Sequence, residues 1–140
     1  VFLGTHQHTL DEKGRVILPA RFRDRLATGL VFTPGQEHCI DVWPAATFQR
    51  YLEDQRSKPR ENSQFRGFLR MLTANAFEHV PDSQGRVTIP PKLRDYAGVT
   101  KELTINGADE KVQVWDTERW ERYCEQIEPA FADLDSPFAL

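Results

Sequence analysis

The chain has 140 residues, enough for one ordinary domain or two very small ones. Its hydrophobic share of 39% and charged share of 28% fit a soluble globular protein. No apolar run approaches the roughly 18 residues needed to span a bilayer, so no membrane partner is expected.

The net charge of −3 argues mildly against nucleic acid, but the average hides a gradient. Residues 1–70 carry 11 Lys and Arg against 8 Asp and Glu, and residues 71–140 carry 7 against 13. A phosphate-binding face needs local positive charge rather than a basic whole. Lys13, Arg15, Arg21, Arg23 and Arg25 cluster early in the chain. No basic-apolar leader opens the sequence, so export is not expected. Cys39 and Cys124 are too few for a disulfide framework, and a reducing cytoplasm is the simplest setting.

Taken in chain order, the elements come twice. "THQHTL" predicts a short first strand, and "DEKG" a turn that opens on Asp11 and closes on Gly14. "RVILP" predicts a second strand ended by proline, and "ARFRDRL" one or two helical turns. "LVFT" and "IDVW" make a third and fourth strand around the turn "PGQEH". An amphipathic helix follows, with Phe48, Tyr51, Leu52 and Gln55 at helical spacing. After the polar linker "RSKPRENS", residues 63–73 predict a third helix with Phe65, Phe68, Leu69 and Leu72 on one face.

The second copy begins at "AFEHVP" and repeats the order. "LDEKGRVILPARFRD" (10–24) and "PDSQGRVTIPPKLRD" (81–95) share Asp, Gly, Arg, Val, Pro, Arg and Asp in register. His8 matches His79 upstream. Downstream, "IDVW" matches "VQVW", Phe48 matches Trp120 and Tyr51 matches Tyr123. The expected organisation is 1–58 for the first unit and 59–74 for a linker and connecting helix. The second unit is 75–128, and 129–140 is a tail without a clear period. Four short strands bury little core alone. The two units are therefore expected to pair about a pseudo-twofold axis and share one small barrel, giving an α+β fold with flanking amphipathic helices.

The doubled Asp-x-x-Gly-Arg-Val signature and the opening "FLGTHQHTLDEKGR" resemble the MraZ family of bacterial transcription regulators. The resemblance covers residues 1 to about 128. It implies tandem swapped-hairpin units of the AbrB/SpoVT type. It also implies binding of double-stranded DNA at tandem repeats in the protein's own promoter, at the head of the division and cell-wall gene cluster. A ring of about eight subunits is implied, as are a cytoplasmic, nucleoid-associated location and no cofactor. The family motif falls on Asp11 and Arg15, and on Asp82 and Arg86. Here the second copy departs from the first, with Gln84 for Lys13 and Pro91 for Ala20, so the two need not contribute equally.

Arg15, Lys13, Arg86, Arg21 and Arg23 are the candidate DNA-binding residues. Arginine offers a planar fork matched to guanine O6 and N7 or to a phosphate. Asp11, Gly14, Asp82 and Gly85 are candidate turn builders, because a carboxylate repels phosphate but accepts backbone N–H groups. A simple ion pair stapling each turn is the competing role for Arg15 and Arg86. Solvated helix faces or subunit salt bridges compete for Arg21, Arg23, Arg25, Lys92 and Arg94.

His6, His8, His38 and Cys39 fit no zinc spacing well, and no metal is expected. Trp43, Trp115 and Trp120 read as core or interface anchors. No catalytic motif such as G-x-S-x-G or H-E-x-x-H occurs, so neither an enzyme nor a small-molecule substrate is expected. The alternative to a DNA regulator is a protein-interaction module of the antitoxin-like swapped-hairpin type.

Overall fold

The repeat in the sequence becomes a repeat of elements in the computed structural model, which describes residues 1–140. The first set is β1 (Thr5–Thr9), β2 (Arg15–Ile17), α1 (Ala20–Leu26), β3 (Leu30–Pro34), β4 (Ile40–Pro44) and α2 (Ala45–Arg56). After α3 (Ser63–Ala74) comes the second: β5 (Phe77–His79), β6 (Arg86–Thr88), α4 (Pro91–Ala97), β7 (Glu102–Ala108), β8 (Lys111–Asp116) and α5 (Thr117–Ala132). Prolines punctuate both sets. Pro19 and Pro90 hold φ near −55° and ψ near +135° just before α1 and α4. There the missing N–H costs nothing and the fixed φ suits the helix entry.

The architecture is mixed α+β. Six antiparallel strands form one sheet in the order β1-β7-β8-β4-β3-β5, and β2 and β6 form a separate two-stranded ribbon. Only the hairpins β3–β4 and β7–β8 lie within one unit. Every other pairing crosses between units: β1 with β7, β5 with β3, β4 with β8, and β2 with β6. The registers place repeat-equivalent residues opposite each other, Val16 on Val87 and Asp41 on Gln113. A pseudo-twofold axis therefore passes through both pairs.

This crossing explains how two marginal units fold. The main core joins Leu18, Phe22 and Leu26 of the first unit to Ile89, Leu93 and Ala97 of the second, over Ile40, Val42, Leu103, Ile105, Val112 and Val114. All of these are almost inaccessible to water. Burying each such side chain contributes about 1.5–3 kcal/mol, and neither unit holds enough of them alone.

The aromatic helices also obey the axis. Trp43, Phe48 and Tyr51 form a triad where β4 meets α2, and Trp115, Trp120 and Tyr123 form its mate on β8 and α5. Asp116 caps α5, accepting the Arg119 N–H at 3.2 Å. Asn62 caps α3 through the N–H groups of Gln64 and Phe65. One feature breaks the symmetry. Leu72 of α3 packs onto the first triad, whereas no helix occurs in residues 133–140 to play that part for the second. The sequence gives no period beyond residue 128, yet α5 continues through Pro129 to Ala132. A proline in the last turn removes one hydrogen bond on an exposed helix and does not end it.

Candidate nucleic-acid interface

Each Asp-x-x-Gly-Arg stretch closes a tight turn around its own carboxylate. Asp11 Oδ1 accepts the backbone N–H groups of Lys13 at 2.9 Å and Arg15 at 2.8 Å. Its Oδ2 accepts the Arg15 Nε–H at 2.8 Å. The Gly14 N–H closes onto the Asp11 carbonyl at 3.0 Å. Asp82 repeats every bond: Gln84 N–H at 2.9 Å, Arg86 N–H at 3.0 Å, Arg86 Nε–H at 2.9 Å and Gly85 N–H at 2.9 Å. Gly14 and Gly85 both sit at φ +77°, a left-handed conformation that glycine adopts without strain.

The turns are locked together across the axis. Leu18 N–H donates to the Gly85 carbonyl and Ile89 N–H to the Gly14 carbonyl, each at 2.9 Å. The Arg94 guanidinium lies so close to Gly14 that a β-carbon there would stand 2.8 Å from Cζ. Arg23 lies equally close to Gly85, at 2.7 Å. Arg23 Nε donates to the Leu18 carbonyl at 2.8 Å, and Arg94 Nε to that of Ile89 at 3.1 Å. Thus the last arginine of each motif roofs the other unit's turn, a role that sequence spacing did not reveal. The signal was there in Arg23–Asp24 and Arg94–Asp95, which recur in register.

The ribbon has two faces. Val16 and Val87 point into the core, while Arg15, Ile17, Arg86 and Thr88 alternate onto the outer face. Arg15 and Arg86 line one shallow cleft together with Asp82, His79, Val80 and Thr88. Their side chains are about one-third exposed, 32% and 35%. Lys13 is exposed at the tip of its turn. Arg21 is exposed on α1 and reaches toward Gly4, apart from this cleft. Ile17, 44% exposed between the arginines, was not singled out by sequence reasoning, although alternation along "RVI" places it outward.

Electrostatics follow the hydrogen bonds. The Arg15 backbone N–H, then its guanidinium and the Lys13 N–H, hold the Asp11 carboxyl below the usual carboxylate range. Asp82 is lowered in the same way by the N–H of Arg86 and then that of Gln84, with the Arg86 guanidinium adding to both. Burial lowers His8, with the charges of His6 and Arg23 adding to it, and burial lowers His79. Both carboxylates are therefore charged at neutral pH, and both histidines favour the neutral form.

The other sequence candidates lie elsewhere. His6 packs edge-on against Phe22, and His38 stacks on Tyr96. Cys39 is buried, and its Sγ–H donates to the Gln36 carbonyl at 3.3 Å. No group of three or more His, Cys, Asp or Glu side chains is placed to hold a metal ion. No helix is long and apolar enough to cross a membrane.

Two copies of one α+β unit, interleaved strand by strand and each carrying an aspartate-clamped arginine, define a duplicated turn-presenting protein. The family model described as "MraZ protein, putative antitoxin-like" matches this chain twice, over residues 1–71 and 72–137. The chain belongs to the MraZ family. It is 50% identical over 133 residues to the transcriptional regulator MraZ of Kineococcus radiotolerans, covering 95% of this chain and 93% of that one. It is 49% identical to those of Paenarthrobacter aurescens and Salinispora arenicola, in each case over 135 residues and 96% of this chain, and over 94% and 95% of the respective relatives.

Proposed function

We propose that this chain is a sequence-specific DNA-binding transcription regulator that meets the duplex with the β2/β6 ribbon and its two turns. The observation that carries the reading is the state of Arg15 and Arg86. Each is held through Nε by its aspartate, and neither terminal nitrogen of the guanidinium has a hydrogen-bond partner within the chain, on side chains about one-third exposed. That end-on fork suits guanine O6 and N7, or a phosphate. A two-stranded ribbon also fits the width of the major groove. The structural staple and the DNA contact are then one arrangement, with the aspartate aiming the arginine.

Arg15 leads in this reading and Lys13 supports it at the turn tip. Arg86 stands beside a neutral Gln84 and contributes less. Arg21 and the terminal nitrogens of Arg23 are assigned to flanking phosphates. Asp11, Gly14, Asp82 and Gly85 build the turns. The interleaved strands are read as a swapped-hairpin barrel of the AbrB/SpoVT type, in units 1–58 and 75–128 joined by 59–74 and followed by the tail 129–140. The role is non-enzymatic and is exercised in the cytoplasm at the nucleoid.

One bidentate base contact gives about 1–3 kcal/mol of discrimination, too little for a unique site. Several copies in a ring, meeting tandem promoter repeats ahead of the division and cell-wall genes, multiply it through effective concentration. The test is titration of the protein against its own upstream duplex at several salt concentrations. A DNA regulator loses affinity steeply as salt rises. Equal affinity for an unrelated duplex of the same length would overturn the sequence-specific reading.

A further inference from the structure

The outer face of the β2/β6 ribbon carries four side chains, and one is unlike the rest. The register sets Arg15 opposite Thr88 and Ile17 opposite Arg86, with Val16 and Val87 between them on the inner face. Val16 is 2% exposed and Val87 1%, as core residues should be, whereas Ile17 is 44% exposed. Its ribbon neighbours, Arg86 across and Arg15 two residues back, are both charged. Strand propensity does not account for it, because threonine is β-branched too and Thr88 holds the equivalent position on β6. On this row the duplication keeps both arginines and varies only the residue two places on.

The groups that distinguish base pairs in the major groove donate or accept hydrogen bonds, except the C5-methyl group of thymine. An aliphatic side chain aimed into that groove finds its match in this methyl group alone. Opposite cytosine it would leave the N4 amine without an acceptor, and opposite a purine it would leave N7 without a donor. We infer that Ile17 packs on the C5-methyl group of a thymine and makes the ribbon select for that base. The inference rests on the proposed meeting of ribbon and duplex, and adds an apolar contact to the two arginine forks.

The backbones of Arg15 and Ile17 stand about 6.6 Å apart along the strand, close to about two base steps of 3.4 Å each. Arg86 lies about 5 Å across the ribbon from Ile17. The selected thymine therefore falls within about two base steps of the group held by either arginine. Thr88, with one methyl group beside a hydroxyl, serves polar and apolar base edges alike. The pseudo-twofold symmetry is broken at this pair, so the ribbon has a head and a tail on the duplex. Turned end for end, it presents Thr88 to the thymine and gives up the aliphatic contact.

The test crosses protein and base substitutions in fluorescence anisotropy titrations on the protein's own upstream duplex. Each thymine in turn, at the same place in every repeat, is replaced by deoxyuridine, which removes the methyl group and keeps every hydrogen-bonding group. At one position wild type should lose affinity about fourfold for each copy engaged, the worth of one buried methyl group. Ile17→Ala, whose side chain ends short of the base, should show no loss there, and Ile17→Val should keep part of it. Ile17→Ser gives a second shortened variant, and far-UV circular dichroism checks that each is folded. A wild type that tolerates deoxyuridine at every position, while still preferring its own duplex to an unrelated one, overturns this inference and leaves the proposed function standing. So does a loss of equal size in wild type and Ile17→Ala. A wild type without preference for its own duplex overturns the proposed function, and this inference with it.

Discussion

Asp11 grips Arg15 by the side of its guanidinium, Nε to Oδ2 at 2.8 Å, and leaves the far end of the fork unclaimed. Arg15→Ala should lower affinity for the upstream duplex by at least roughly tenfold to a hundredfold, the equivalent of one bidentate contact, and by more where several copies engage the repeats at once. Arg15→Lys should lose nearly as much, since an ammonium keeps the charge but not the fork. Arg86→Ala should cost less, because Gln84 leaves its turn without the charge of Lys13. Fluorescence anisotropy with labelled duplex reads all three, and thermal melting should be little changed. Wild-type affinity in Arg15→Ala would remove this turn from the interface.

The clamp is separable from the turn. Asp11→Asn retains an oxygen for the N–H groups of Lys13 and Arg15 but loses the ion pair that aims the arginine. It should melt only slightly lower, through loss of the carboxylate's charge, and lose DNA affinity. Asp11→Ala loses both sets of bonds and should also melt lower. Equal DNA affinity in Asp11→Asn and wild type would mean that the carboxylate does not aim the arginine.

Gly14→Ala and Gly85→Ala put a β-carbon on a left-handed backbone, and into Arg94 or Arg23. The backbone strain alone costs about 1–3 kcal/mol. Urea denaturation should show that loss in each variant. In Gly14→Ala, the further truncation Arg94→Ala should relieve the clash but not the φ strain, so recovery is partial. Full recovery would assign the whole cost to crowding.

Acid should destabilise the fold in two steps. His8 and His79 titrate below 6.5 when folded, so the unfolded chain takes up their protons first. Their stabilisation is complete above about pH 6.5 and is lost as pH falls through their folded values. Asp11 and Asp82 titrate below 3.8 when folded, so their contribution holds above that pH and is lost as pH falls through the lower folded values. Denaturation midpoints measured from pH 7.5 to pH 3 should show both declines. The double variant His8→Gln with His79→Gln should flatten the first alone.

The in-register motif at 10–24 and 81–95 made the repeated order of elements, the turns and the pseudo-twofold pairing legible, because near-identical local chemistry twice over favours the same local structure. What stayed hidden was tertiary. Nothing in "ARFRD" says that Arg23 leaves its own turn to roof Gly85, since that depends on where the other unit's strand arrives. Nor does "EDQR" say that Gln55 is buried, at a position where α2 faces Arg66, Leu69, Arg70 and Thr73 of α3. Local periodicity finds faces, and only assembled topology decides what covers them.

Strand β1 waits a long time for its neighbour. Gln7 pairs with Thr104 of β7, some two-thirds of the chain later. At ribosomal speeds of about 5–20 residues per second, β1 is made roughly 5–20 s before its partner exists. An apolar strand left unpaired that long would seek other nascent chains. The strand reads Thr-His-Gln-His-Thr, without one large aliphatic side chain. A polar strand of this kind offers other nascent chains little apolar surface while its partner is still being made.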